Sequence, residues 1–266
     1  MAQDVEAGRG GHFRRLKPTL GFLDPENTRT MPPEVAASAG LDILSHAIES
    51  YTAMPFTDRP RPDRPSLRPA YQGSNPISDI WSMQALRMVS QFLVRAVDDP
   101  SDDEARAQML LAASYAGVGF GNAGVHLPHG MSYPVSGNVK NYQAPGYGAD
   151  HPLVPHGISV ILNAPAVFRF TASASPGRHL QAAEALGADI SNARAEDAGR
   201  VLADRLVWYM QRLGTPNGLS AIGYTSADIP ALVEGTLPQH RVTKLSPRPA
   251  GPEELARLFE NALTAW

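Results

Sequence analysis

Asp42 and His46 stand four residues apart in the stretch Gly40-Leu41-Asp42-Ile43-Leu44-Ser45-His46-Ala47-Ile48-Glu49. On a helix, positions i and i+4 lie one above the other on a single face. Their Cβ atoms are then about 5–6 Å apart, close enough for a carboxylate and an imidazole to grip one ion. Two further histidines, His129 in His129-Gly130-Met131 and His156 in Pro155-His156-Gly157, each stand beside a glycine, where backbone can approach a metal or cofactor closely. One carboxylate with three imidazoles suits a divalent transition metal and leaves room for a substrate oxygen. A plainer reading competes. An Asp/His pair at this spacing arises by chance, and a histidine beside a glycine is usually a hydrogen-bonded core or surface residue. The residues alone leave the two readings level.

The elements that must position these groups are mostly helical. Pro32-Pro33 opens a helix that carries Asp42 and His46 and runs, with a break near Gly40, to about Ala53. Residues 54–74 form a long polar loop. Asn75 is a good N-cap with Pro76 at the first helical position, and Ile77, Ile80, Trp81, Leu86, Val89, Phe92 and Leu93 follow at helical spacing. Ser101-Asp102-Asp103-Glu104 reads as a capping box before an Ala-rich helix through Tyr115. Ser175-Pro176 opens a helix that should stop at Gly187, and another runs from about Ala195 to Leu213 with Gly214 as its stop. Thr225 or Ser226, and then Gly251-Pro252-Glu253-Glu254, begin the last two. The expected body is mainly α, an all-helical domain of seven to nine helices. Pro18–Asp24 reads as a short strand closed by Asp-Pro, which would need partners that the chain does not obviously supply.

Gly119-Phe120-Gly121-Asn122-Ala123-Gly124 matches the dinucleotide fingerprint G-x-G-x-x-G. That fingerprint needs a strand before it and a helix N-terminus after it. Here an Ala-rich helical pattern precedes it, so the small residues are expected to let two helices, or the backbone near His129, approach closely.

Composition narrows the classes. The 266 residues are 43% hydrophobic and 18% charged, which is ordinary globular composition. A net charge of -3 of mixed sign gives no sign of nucleic acid or an anionic membrane as partner. No apolar run approaches the roughly 20 residues that span a bilayer. The first fifteen residues lack an apolar signal core, and Asp4 and Glu6 argue weakly against a transit peptide. Without cysteine there is neither thiolate ligand nor cysteine nucleophile, so any metal must be held by nitrogen and oxygen.

At the residues singled out above the chain resembles the iron-containing alcohol dehydrogenase family. The matching pieces are Gly40 to Glu49, Ser74-Asn75-Pro76-Ile77-Ser78-Asp79, Asn122-Ala123-Gly124 leading to His129-Gly130-Met131, and Pro155-His156-Gly157. Within the family it is most similar to the hydroxyacid–oxoacid transhydrogenase branch. That likeness rests on Arg68 to Pro76, on Asp150-His151-Pro152-Leu153-Val154-Pro155-His156-Gly157, and on the segment from Gly235 through Arg241 to Leu245. It covers nearly the whole chain from about Lys17 onward.

The resemblance implies that Asp42, His46, His129 and His156 are the metal ligands, with Fe(2+) or Zn(2+) as the ion. It further implies a hydride transfer between a hydroxyacid and a 2-oxoacid through bound nicotinamide, NAD(H). Where the family pattern His-Gly-Met-x-His places a second histidine used in proton relay, this chain has Tyr133, as the transhydrogenase branch does. Tyr133, the metal-bound oxygen and the nearby His151 are therefore the alternatives for the relay. Lys140, Arg241 and Lys244 are candidates for binding a substrate carboxylate, with Lys244 favoured because it lies in a shared motif; solvated surface charge is the ordinary reading of each. The family's nucleotide-binding α/β domain precedes its metal domain, so residues 1–30 are expected to be the end of that domain and 31–266 the all-α catalytic domain. On this reading most of the cofactor domain, with its glycine-rich loop, is absent. Two other readings stay open: a metal-dependent hydrolase or lyase, and an inactive, metal-stabilised helical module needing a partner chain. A homodimer or a separate nucleotide-binding chain are the expected assemblies. The expected location is the cytoplasm, or the mitochondrial matrix in a eukaryote.

Overall fold

The computed structural model describes residues 20–266. Among these the chain forms eleven α-helices: α1 (Pro33–Thr52), α2 (Pro76–Asp98), α3 (Asp103–Ala123), α4 (Leu127–Gly137), α5 (His156–Ile161), α6 (Ala164–Thr171), α7 (Pro176–Ala185), α8 (Ala198–Arg212), α9 (Ile229–Thr236), α10 (His240–Thr243) and α11 (Pro252–Ala262). The mainly helical class is as the sequence predicts, but there are more helices than seven to nine. The additional ones include α4 and α5, which carry His129 and His156. The only β-type pairings among the described residues are two isolated bridges, Pro55 with Ser74 and Gln143 with Leu153.

α1 lies at the centre, packed against α2, α3, α5 and α7. Leu41, Leu44, Ala47 and Ile48 are fully buried, and each such Leu or Ile contributes roughly 1.5–3 kcal/mol of burial. The helix runs unbroken through Gly40, contrary to the expected interruption. α2 starts as its sequence dictates: the Asn75 side chain accepts the Ser78 N–H at 3.1 Å, with Pro76 in the first turn. α3 is capped one residue later than expected. Asp102, not Ser101, accepts the Ala105 N–H at 2.9 Å, while the Ser101 hydroxyl turns to Asp99.

α3 continues past Tyr115 to Ala123 and so absorbs the first five residues of the G-x-G-x-x-G motif. The reason for a small residue is visible at Gly119, where a Cβ would lie 2.4 Å from the Ser82 hydroxyl of α2. Gly119 thus serves the contact between α2 and α3, while a Cβ on Gly124 would meet Leu245 and Tyr71. α4 escapes sequence reading because Pro128, Gly130 and Pro134 lie within it, and both residue types oppose helix interiors. Its formation rests on burial of Leu127, Met131 and Val135.

Pro18 and Thr19 of the expected strand lie outside the described residues. Its remainder, Leu20–Asp24, forms no strand; Leu20, Phe22 and Leu23 are exposed, and no ladder partner exists for them among the described residues. A short apolar segment with strand-like composition cannot form a strand without a neighbour to take its backbone hydrogen bonds. None of the described helices is long and apolar enough to cross a membrane.

Candidate metal centre

Three of the four expected ligands converge. A carboxylate oxygen of Asp42 on α1 and ring nitrogens of His129 and His156 all lie within 4.8 Å of one another. Asp42 Oδ1 stands 3.4 Å from His129 Nε2 and 3.7 Å from His156 Nε2. Donors about 2.1 Å from a common ion at tetrahedral angles stand roughly 3.4 Å apart, so these separations suit a shared cation. Both Asp42 Oδ1 and His129 Nε2 are buried and lack a hydrogen-bond partner, their mutual approach being poorly aligned for one. Two orphaned buried polar atoms aimed at one point are costly unless something completes them. A divalent cation with oxygen and nitrogen ligands fits that requirement.

His46 is held differently. Its Nδ1 lies 2.9 Å from the carbonyl of Asp42 and 3.5 Å from the Asp42 carboxylate, and its ring stacks on Phe120 at 4.1 Å. It borders His129, centroid to centroid 4.3 Å, without joining the three-donor cluster. The cluster is asymmetric in exposure. The His129 side chain is 3% exposed and that of His156 48%, so any substrate would approach from the His156 side.

Burial sets the base line of the electrostatics. It would raise the Asp42 carboxyl, but the close approach of His129 and the facing imidazoles outweigh it and hold Asp42 below the usual carboxylate value. Burial, then the charge of His129, pushes His46 down to about 4. His156 is also lowered, chiefly by burial. His129 goes the other way. Burial opposes its charge, yet Glu49 and Asp42 outweigh it and raise the imidazole to about 9. His46 and His156 are thus neutral at pH 7, with lone pairs available to a cation, and a cation at His129 must displace a proton.

The sequence did not single out a role for Glu49, which is fully buried on α1. Its Oε1 accepts the backbone N–H of His126 at 2.8 Å and of His129 at 3.2 Å, and its Oε2 contacts His129 Nδ1. The one available signal was its place at i+7 from Asp42, on the same helical stripe. Tyr133, on α4 one turn beyond His129, faces the His156 ring with centroids 6.5 Å apart. Arg241 on α10 reaches both Tyr133 and Tyr71, 3.5 Å from each hydroxyl. α10 can lie this close because Gly130 has no side chain; a Cβ there would stand 2.6 Å from Thr243.

The other expected residues are not among the three clustered donors. His151 is exposed and paired with the neighbouring Asp150 at 3.0 Å. Lys244 is exposed at the end of α10. Lys140 forms an ion pair with Asp228 at 2.6 Å. A recess of about 460 Å³, lined by residues including Tyr51, Asp79, Trp81, Arg87 and Tyr115, contains none of the clustered residues.

Residues 70–263 match the family model described as "Fe-containing alcohol dehydrogenase family, C-terminal". The chain is 58% identical over 265 residues to the mitochondrial hydroxyacid-oxoacid transhydrogenase of Xenopus laevis, covering 99% of this chain and 57% of that protein. It is 60% identical over 254 residues to the Homo sapiens protein of the same name, covering 95% of this chain and 54% of that one. The chain therefore spans little more than half the length of these relatives. Among solved structures it is similar to 1,3-propanediol oxidoreductase, with a TM-score of 0.75 and 26% identity over 90% of this chain and 54% of that one. It is also similar to a sulfoacetaldehyde reductase from Bifidobacterium kashiwanohense in complex with NAD+, with a TM-score of 0.69 and 26% identity over 90% of this chain and 53% of that one. With the helical fold, the Asp/His/His cluster and these likenesses together, the chain belongs to the iron-containing alcohol dehydrogenase family, matching its C-terminal part.

Proposed function

We propose that this chain is the metal-binding part of a hydroxyacid–oxoacid transhydrogenase-like enzyme. The observation that carries the reading is the pair of orphaned buried atoms, Asp42 Oδ1 and His129 Nε2, facing His156. Asp42, His129 and His156 would hold one divalent ion, iron or zinc, with His46 turning its ring to complete the set. When bound, that ion supplies Lewis acidity toward a substrate oxygen.

The chain's own residues would handle the substrate and its proton. His156, half exposed, borders the substrate approach. Tyr133 is placed to hold or pass a proton at its hydroxyl; burial raises its pKa, so it acts from the protonated form. His151, on its exposed segment, is the second candidate for that role. Arg241, held between Tyr71 and Tyr133, is the cation best placed to receive a substrate carboxylate, ahead of Lys244. The nicotinamide NAD(H) that hydride transfer requires would bind mainly through a nucleotide-binding domain, of which residues 1–30 would be the end. That domain would come from the remainder of a longer polypeptide or from a partner chain, with a homodimer as the alternative assembly. The proposed location is the mitochondrial matrix in a eukaryote, in keeping with the names of the relatives, and the cytoplasm otherwise.

The test is metal content per chain, on protein purified anaerobically without chelator or immobilised nickel, beside His156→Ala. About one equivalent of iron or zinc in the wild type and none in the variant is expected. Full occupancy in the folded variant would sink the ligand assignment. Hydrolysis of substrate without nicotinamide would favour a hydrolase instead.

A further inference from the structure

We infer that Glu49 is a positioning residue: by accepting from His129 Nδ1 it fixes the tautomer that leaves Nε2 free for a divalent cation, and by the same carboxylate it anchors the start of α4. This rests on the reading of Asp42, His129 and His156 as a metal centre.

A fully buried carboxylate persists only where charge and hydrogen bonds fill its lone pairs. Every partner recorded for Glu49 lies at the N-terminus of α4: the N–H of His126, the N–H of His129 and the His129 ring. α4 has no capping side chain of its own, its N-cap residue being His126. Unpaired N–H groups and the positive end of the helix dipole gather there, and both favour an anion. Glu49 thus caps α4 from α1, a connection across 80 residues of sequence.

The same contact decides which ring nitrogen carries the proton. An ionised carboxylate only accepts, so the proton shared with it belongs to Nδ1. A cation then has only the Nε2 proton to displace, and Nε2 is the atom left without a hydrogen-bond partner, 3.4 Å from Asp42 Oδ1. Imidazoles that bind metals commonly donate their second N–H to a carboxylate, which fixes ring orientation and strengthens the donor. Asp42 and Glu49, two turns apart on one helix, therefore address the two nitrogens of one ring.

The variant that isolates this role is Glu49→Gln. Its oxygen still accepts from both backbone N–H groups, but its amide donates toward Nδ1. His129 must then carry its proton on Nε2, pointed at Asp42. With the metal-free protein loaded with Zn2+ alone, Glu49→Gln should weaken zinc affinity by about 10–100-fold, and Glu49→Asp, which keeps the acceptor, by less. The visible absorption of the Co2+-loaded variant should also shift, which a loss confined to helix capping would not cause. The wild type supplies a check that does not depend on variants folding: 15N NMR of the zinc-loaded chain should show His129 protonated at Nδ1. Protonation at Nε2 there, or wild-type zinc affinity and cobalt spectrum in folded Glu49→Gln, would overturn the role of Glu49 alone. A folded wild type that takes up no zinc would overturn the metal centre itself, and this role with it.

Discussion

Gly157 lies so close to Ser38 that a Cβ on it would stand 2.0 Å from the Ser38 carbonyl oxygen and 3.1 Å from the Asp42 side chain. This contact sets the spacing of α5 from α1, and with it the distance from His156 to Asp42. Gly157→Ala should push α5 outward. The expected cost is about 1–3 kcal/mol of stability from overpacking, with a loss of metal affinity beyond what that cost explains. Urea unfolding of the metal-free protein and zinc titration of the same sample measure the two separately. Unchanged zinc affinity would mean that the helices part without moving His156.

The two histidines facing Asp42 should behave differently when removed. His129 is buried against Glu49, so His129→Ala strands a buried carboxylate whose remaining recorded partners are backbone N–H groups. That should destabilise the metal-free protein by about 3–5 kcal/mol. The His156 side chain is half exposed, and His156→Ala should stay within about 1 kcal/mol of wild type. Both should lose metal. Denaturant unfolding without metal separates the cases, and equal costs for the two would remove Glu49 from the account of His129.

What could be read from the chain depended on how local the cause was. Asn75-Pro76 and Gly187 act within a turn or two, and the helix boundaries they mark came out as the sequence predicts. The spacing of Asp42 and His46 placed both on one face of α1, but could not show that His46 Nδ1 turns back to its own turn's carbonyl. Glu49 and His129 are 80 residues apart, and Tyr133 and Arg241 108, so their pairings exist only after α1, α4 and α10 have packed. α4 was invisible for a related reason: Gly130 and Pro134 weaken its intrinsic tendency, and the burial that compensates is tertiary.

Part of the acid sensitivity should arise away from the metal residues, at His179. Its Nδ1–H donates to the Ser175 carbonyl at 2.9 Å, and its Nε2 faces the Thr171 hydroxyl at 3.0 Å. Burial first, then Arg178, lowers it to about 4 against the Ser175 hydrogen bond. The unfolded chain takes up a proton near pH 6.5 while the native state does so only near 4. The contribution is therefore complete above about pH 6.5 and lost as pH falls toward 4, on the order of 3 kcal/mol. His126, also lowered to about 4 by burial, steepens the same limb. His179→Asn, which keeps a donor for Ser175, should flatten part of it in metal-free protein. A profile parallel to wild type from pH 7 to 4.5 would assign the acid limb elsewhere.

The choice between Arg241 and Lys244 as carboxylate receptor can be made without the nicotinamide. Arg241 lies over the Tyr71 ring, 5.4 Å from its centroid, with Tyr71 and Tyr133 hydroxyls near its two terminal nitrogens. Those neighbours restrict a flexible guanidinium, so less freedom is lost when it meets a carboxylate. Lys244 is exposed, and ordering it would cost more. A hydrogen bond to a charged group is worth about 1.5–3 kcal/mol, or roughly a 10–150-fold change in affinity. Calorimetric titration of zinc-loaded protein with a 2-oxoacid should therefore show that much weakening in Arg241→Ala and little in Lys244→Ala, with zinc affinity unchanged in both. The reverse order would return the role to Lys244, and no effect in either would remove both from the account of the carboxylate.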